Sequence, residues 1–156
     1  MKVSELLNET NILLDVEAKD KYELIDKLID VVANSDKVLD KEKVRNCVYE
    51  REKILSTGVG KGFAVPHGKT DAVTDIVLAF AITKEPLDYE ALDNQPVRLV
   101  MLMVGKDSLL SSHIKLLSRI SRLMNNDEFR ENLLNAKTKQ EVLEIFRKEE
   151  ANYFDV

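Results

Sequence analysis

Two apolar runs in the second half of the chain set what it can fold into. "DIVLAFAIT" (Asp75–Thr83) and "VRLVMLMV" (Val97–Val104) are β-rich, too short for typical helices, and bounded by turn residues, so both read as strands. Helical patterns lie on either side. Asp20 opens one in which Leu24, Ile25, Leu28, Ile29, Val31 and Val32 recur at helical spacing, and "NSD" (Asn34–Asp36) ends it. A second runs from about Asp40, which suits an N-cap, to about Lys53. Further helices are expected over about Leu109–Met124, over Asp127–Asn135, and from Thr138, where Thr138 and Glu141 have capping-box spacing. "NILLDV" (Asn11–Val16) reads as a short strand ahead of all these. Helices toward both ends with strands between them imply an α/β fold, one sheet covered by helices. The strand order does not follow from the pattern.

The 156 residues make one domain, 1–156, since a domain typically takes ~100–200 residues. The longest apolar run, Ile76 to Ile82, has seven residues, whereas a membrane span needs about twenty, so no membrane insertion is expected. The opening "MKVSELLNETNILL" lacks an apolar stretch followed by a small-residue cleavage site. Cys47 is the single cysteine and has no internal partner for a disulfide. Both features lead us to expect a cytoplasmic protein. The net charge of −5 and pI of about 5.2 argue against nucleic acid as a partner, because phosphate neutralisation needs a basic face.

The glycines carry more information. The chain has five, and four of them (Gly58, Gly60, Gly62, Gly68) fall within eleven residues. Glycine permits positive φ and close backbone approach to a ligand, and clustered backbone N–H groups can form an anion-binding concavity. A tight loop is the competing reading. Named nucleotide motifs do not apply. Gly60-Lys61 is followed by Gly62 where a Walker A element needs Ser or Thr, and Phe63 stands where the dinucleotide pattern needs glycine. Inside the cluster sits "AVPHG" (Ala64–Gly68), with one of the two histidines, His67, beside the rigid Pro66.

The second histidine, His113, shares a helical face with Leu117, Ile120 and Met124. It is either a satisfied core histidine or part of a site. Arg51 falls on a stripe with Val44 and Cys47 or Val48, so it either snorkels to water or meets a buried anion. Together with the glycine segment, these three side chains can form an oxyanion pocket. Neutral imidazole is available near pH 7 and attacks phosphorus without a separate base. Phosphoryl transfer is mostly positioning and charge stabilisation; a guanidinium offers a bidentate fork to the oxygens.

With these residues assembled, the chain resembles the enzyme IIA domains of the bacterial sugar phosphotransferase system, fructose–mannitol type. The resemblance runs through "REKILSTGVGKGFAVPHGKTDAV" (Arg51–Val73), "ALDNQPVRLVMLMV" (Ala91–Val104) and "SSHIKLLSRISRLMNNDEFRENLLNA" (Ser111–Ala136). It implies a mixed β-sheet sandwiched by helices. It implies that His67 is the phosphoacceptor, loaded by the histidine-containing phosphocarrier protein and unloaded onto a cysteine of a IIB domain. His113 then orients or stabilises the phosphoryl group, and Arg51 contacts it. Ser56 and Thr57 match a hydroxyl-bearing loop, and Gly58, Gly60 and Gly68 join them as expected phosphate-binding positions. Two positions depart: Lys61 stands where mannitol-type domains carry glutamate, and Phe63 replaces an aliphatic residue. Cys47 lies on a helix away from the loop and is expected to be structural.

The resemblance admits two roles, a sugar-uptake phosphocarrier or a nitrogen-regulatory relative that binds targets according to its phosphorylation state. A metal-dependent hydrolase is disfavoured, because no His-x-x-x-His or Cys-x-x-Cys spacing exists. No cofactor or metal is expected, since the phosphate arrives already on a protein. A shallow, exposed His67 with an apolar rim of Phe63, Val65 and parts of residues 109–117 is expected, so that protein partners can reach it.

Overall fold

Both faces of the central strands are covered, which is why their sequences are continuously apolar rather than alternating. In the computed structural model, which describes residues 2–153, β5 (Val77–Leu87) and β6 (Val97–Gly105) pair antiparallel at the centre of the sheet. Their side chains alternate between faces. Leu78, Phe80, Ile82, Leu99, Met101 and Met103 enter one core; Val77, Ala79, Ala81, Val100, Leu102 and Val104 enter the other. The first core is closed by α1 (Val3–Leu6), α4 (Leu110–Met124), α5 (Asp127–Asn135) and α6 (Lys139–Tyr153). Phe146 anchors it, meeting Phe80 and Phe129 edge-on at ring-centroid distances of 5.3 and 5.1 Å. The second core is closed by α2 (Lys21–Val32) and α3 (Lys41–Ile54).

The helix starts follow the sequence closely. The side chains of Asp20, Asp40 and Asn126 accept the backbone N–H of Glu23, Lys43 and Phe129, satisfying donors that the first turn leaves open. Thr138 Oγ1 accepts from the Glu141 N–H at 3.1 Å. The reciprocal half of the expected box is displaced by one residue, because the Glu141 carboxylate accepts from the Lys137 N–H.

Among the described residues the sheet has six strands: β1 (Ile12–Val16), β2 (Gly58–Gly60), β3 (Phe63–Ala64) and β4 (His67–Lys69) join the central pair in the order β1-β5-β6-β3-β2, with β4 also paired to β6. It is mixed: β1 (Ile12–Val16) runs parallel to β5, β3 and β4 run parallel to β6, and β2 runs antiparallel to β3. The fold is therefore the α/β arrangement expected. The glycine-rich segment is not one loop, however. It folds into β2 (Gly58–Gly60), β3 (Phe63–Ala64) and β4 (His67–Lys69), strands too short to leave a periodicity in the sequence. β3 and β4 lie along the same side of β6, meeting it at Leu99–Val100 and at Met103–Gly105. Between them Pro66 has no N–H to give, and its carbonyl accepts the Met103 N–H at 3.0 Å. The β5 strand outruns its expected end by four residues, to Leu87, through a register irregularity between Ile82 and Leu87.

The short helix α1 had no signal in the sequence either. Its first amides, those of Val3 and Ser4, donate to the buried carboxylate of Glu150 on α6 at 2.6 and 2.8 Å. The two end segments of the chain are thereby joined. Among the described residues, no helix is long and apolar enough to cross a membrane.

Candidate active site

His67 opens β4 directly after the Pro66 interruption. Its ring folds back over its own chain, and Nδ1 lies 2.8 Å from the Val65 carbonyl oxygen. A carbonyl only accepts, so Nδ1 carries the proton and Nε2 keeps its lone pair. Strand alternation then sends Gly68 to the opposite face, against α3. A Cβ at Gly68 would lie 2.5 Å from Cys47 Sγ and 3.2 Å from the Cys47 carbonyl carbon. Gly68 thus lets β4 approach α3 closely enough to place His67. Gly68→Ala is expected to cost about 1–3 kcal/mol by overpacking. Cys47→Ala should recover part of that loss, which urea unfolding of the single and double variants would measure. Cys47 is a half-buried thiol whose pKa burial pushes up to about 11, with the Asp107 charge adding to the effect; a thiol in that state is not a nucleophile at neutral pH.

His113 enters from α4 and is 3% exposed. Its ring centroid lies 5.8 Å from that of His67, with the planes inclined by 57°. His113 Nδ1 is buried with no hydrogen-bond partner, and it faces Gly105, where a Cβ would come within 2.8 Å of it. The one glycine outside the cluster is therefore the clearance for this ring. The pair therefore presents a bare Nε2 on His67 beside a second imidazole whose Nδ1 is turned into the fold. Both rings are held neutral near pH 7. Burial lowers the His67 pKa, opposed by the Val65 hydrogen bond and the Glu52 charge and aided by the charges of Arg51 and Lys69. Burial, then the neighbouring His67 and Lys69, bring His113 down to about 4. Lys69 was not singled out in the sequence. It stands two residues beyond His67 on the same strand face, which was the available signal.

Arg51, in the last turn of α3, is half-buried, and its Nη1 donates to the Leu55 carbonyl at 2.8 Å. Its charge is close enough to depress the His67 pKa. The apolar stripe of α3 does not end on Arg51 as expected. It runs Val44, Val48, Glu52, three buried positions four residues apart, so the buried charge is Glu52, a residue the sequence reading missed.

The expected phosphate-binding positions have partners within the fold. Ser56 Oγ accepts the Gly58 N–H at 3.2 Å. Thr57 is 3% exposed, and its hydroxyl donates to Glu52 at 2.6 Å. A Cβ at Gly58 would lie 2.9 Å from both Ala91 Cβ and the Tyr89 ring, and Gly60, at φ +132°, faces the Asp93 carboxylate. The structure thus brings His67, His113 and Arg51 together and turns Thr57, Gly58 and Gly60 toward residues 89–93. Lys61 is also elsewhere. Its Nζ lies 3.4 Å from Asn125 Oδ1, about 18 Å along α4 from His113 at the helical rise.

The expected apolar rim holds for the 109–117 segment, where Leu110 and Ile114, flanking His113, are exposed. Phe63 and Val65 are core residues instead, because β3 lies between β2 and β6 with both faces covered. Ile54 and Leu55, which follow Arg51, are further exposed apolar side chains. Among the described residues, no three His, Cys, Asp or Glu side chains converge as a metal-binding set.

Comparison with known proteins fits this geometry. The family model described as "Phosphoenolpyruvate-dependent sugar phosphotransferase system, EIIA 2" matches residues 5–149. The chain is 36% identical over 145 residues to the fructose-specific EIIABC component of Bacillus subtilis; the match takes in 93% of this chain but only 23% of that longer protein. The crystal structure of the nitrogen regulatory protein IIA-Ntr from Neisseria meningitidis superposes with a TM-score of 0.86 at 30% identity, covering 92% of this chain and 98% of the other. The complex of enzyme IIAMTL and phosphorylated enzyme IIBMTL from Escherichia coli shares the fold, with a TM-score of 0.79 at 23% identity over 91% of this chain and 97% of that one. An uninterrupted match across nearly the whole α/β domain, histidine pair included, makes the chain a member of the EIIA 2 family of the phosphoenolpyruvate-dependent sugar phosphotransferase system.

Proposed function

We propose that the protein is a phosphocarrier that takes a phosphoryl group onto His67 Nε2 from the histidine-containing phosphocarrier protein. It passes the group to a cysteine of a IIB domain, in sugar uptake of the fructose–mannitol type. The observation that carries this reading is the tether of His67 Nδ1 to the Val65 carbonyl at 2.8 Å. That bond fixes the tautomer and leaves Nε2 as the nucleophile.

The Nε2 lone pair forms the bond to phosphorus while the bond from phosphorus to the donor nitrogen breaks, and the donor keeps that electron pair. The His67 ring becomes an imidazolium whose Nδ1–H still donates to Val65, so the carbonyl dipole stabilises the new charge. When the thiolate of the acceptor attacks phosphorus, Nε2 recovers its pair and the ring returns to neutral. Arg51 and the His113 Nε2–H supply positive charge and a donor to the phosphoryl oxygens. Of the expected loop positions, Ser56 keeps an O–H to give to the oxygens, whereas the Thr57 donors and the Gly58 N–H already serve Glu52 and Ser56; Gly58, Gly60 and Gly68 act by letting the backbone pack closely.

Protein partners need a shallow, partly apolar approach. Ile54, Leu55, Leu110 and Ile114, 79%, 53%, 47% and 56% exposed, provide it on both sides of the histidine pair. The complex of a fold neighbour with phosphorylated IIB supports a IIB acceptor. These donor and acceptor proteins place the reaction in the cytoplasm. No cofactor, metal or nucleic acid takes part. A regulatory role is the second reading, favoured by the likeness to the nitrogen regulatory protein. Loss of fructose uptake on deletion supports transport; intact uptake with altered regulation supports the second reading.

The test is labelling with phosphoenolpyruvate and the general carrier proteins, followed by mapping of the labelled nitrogen; label anywhere other than His67 overturns the assignment. Arg51→Lys is expected to slow transfer about tenfold although the charge is kept, because the planar fork is lost. An unchanged rate in rapid-quench assays would remove Arg51 from the phosphate.

A further inference from the structure

A buried carboxylate, Glu52, lies beside the site and makes no contact with the histidine pair. The Glu52 side chain is 0% exposed, and a buried carboxylate persists only when fully partnered. Its partners are specific. Oε2 accepts from Lys21 Nζ at 3.3 Å and from the Thr57 N–H at 2.9 Å; Oε1 accepts from the Thr57 hydroxyl at 2.6 Å and from the Tyr89 hydroxyl at 3.2 Å. Lys21 is itself buried and also pairs with Glu90 at 3.4 Å. Tyr89 is fully buried, with its ring against Gly58.

Both hydrogen bonds to Thr57 fix the turn after α3. From there the chain of contacts reaches the nucleophile in two steps. The Thr57 carbonyl accepts the Val65 N–H at 3.1 Å, and the Val65 carbonyl holds His67 Nδ1 at 2.8 Å. The same turn includes Leu55, whose carbonyl holds Arg51.

We propose that Glu52, neutralised by Lys21, is a positioning residue that sets the tautomer of His67 and the reach of Arg51 by clamping the 55–57 turn. It touches no phosphate. A neutral amide holds the turn less well: a glutamine that keeps its oxygen toward the Thr57 N–H and Lys21 turns its NH2 to the Thr57 and Tyr89 hydroxyls, which must then accept instead of donate, and buried Lys21 loses this countercharge. The inference rests on His67 being the phosphoacceptor.

The test uses Glu52→Gln in the full chain, with two readouts. One is the rate of label uptake at His67 from phosphoenolpyruvate and the carrier proteins. The other is the 15N spectrum of histidine-labelled, unphosphorylated protein, which reports which ring nitrogen carries the proton. We expect the rate to fall about tenfold or more, as misplacement of reacting groups does, and the His67 signals to move from a single Nδ1–H tautomer toward a mixture. A folded Glu52→Gln protein at the wild-type value in either readout overturns the proposal. Should that variant not fold, Thr57→Val, which removes one donor and keeps volume, decides by the same two readouts with a severalfold drop expected. Wild-type protein that takes no label at His67 refutes the function proposed above instead. The nitrogen spectra of the variants still test the clamp in that case.

Discussion

His67→Gln takes no label from phosphoenolpyruvate and the carrier proteins, and transfers none. This is expected to be the largest functional effect of any single replacement, because the lone pair that forms the bond to phosphorus is gone and no other nucleophile is placed to replace it. The neighbouring ring, His113, has its Nδ1 buried against Gly105, out of reach of a phosphoryl donor. The fold should survive. His67 is half-buried on a short strand, and its one hydrogen bond goes to a backbone carbonyl, which a glutamine amide can replace. We expect an unfolding midpoint near that of the native protein together with no incorporation of phosphate. Label retained by His67→Gln, mapped to any other residue, would refute the phosphocarrier reading.

His113→Gln should change both chemistry and stability. Acceptance persists at a reduced rate, and onward transfer falls about 10–100-fold, because a positioned donor to the oxygens is lost. The stability effect follows from the pKa of about 4 in the folded protein against about 6.5 in the unfolded chain. The folded pKa is depressed, so between these values the unfolded state binds more protons and stability falls as pH falls. The full contribution is present above about pH 6.5 and is lost progressively down to about pH 4. From pH 7 to pH 5 the loss is about 2 kcal/mol for this ring. His67, lowered in the same direction, adds to it. Urea unfolding across that range should show a steep acid dependence in the native protein and a flatter one in His113→Gln. Equal slopes would mean that the ring accepts a proton without cost.

The layer plan of the fold was readable because it depends on long periodic segments. Leu24, Ile25, Leu28 and Ile29 repeat at helical spacing, and the runs at Asp75–Thr83 and Val97–Val104 are long enough to declare strands. β3 and β4 were not readable because their pairing is decided by β6, more than thirty residues away in the chain, and β2 pairs only with the two-residue β3 that this placement creates. Gly58, Gly60 and Gly68 signalled close approach correctly in kind, but the approaching partners are Tyr89, Asp93 and Cys47, which only the tertiary structure brings near. The histidine pair was legible from residue type and from the family pattern. Glu52 was not, because a helical stripe drawn through Val44 and Val48 can end on either of two adjacent residues, and 100° of rotation decides which one is buried.

The bond from Glu150 to the amides of Val3 and Ser4 has a topological consequence. The first and last helices described, α1 and α6, are stitched together, so two segments nearly 150 residues apart in sequence close the same core. Opening a surface turn elsewhere would leave that stitch, and the sheet beneath it, in place.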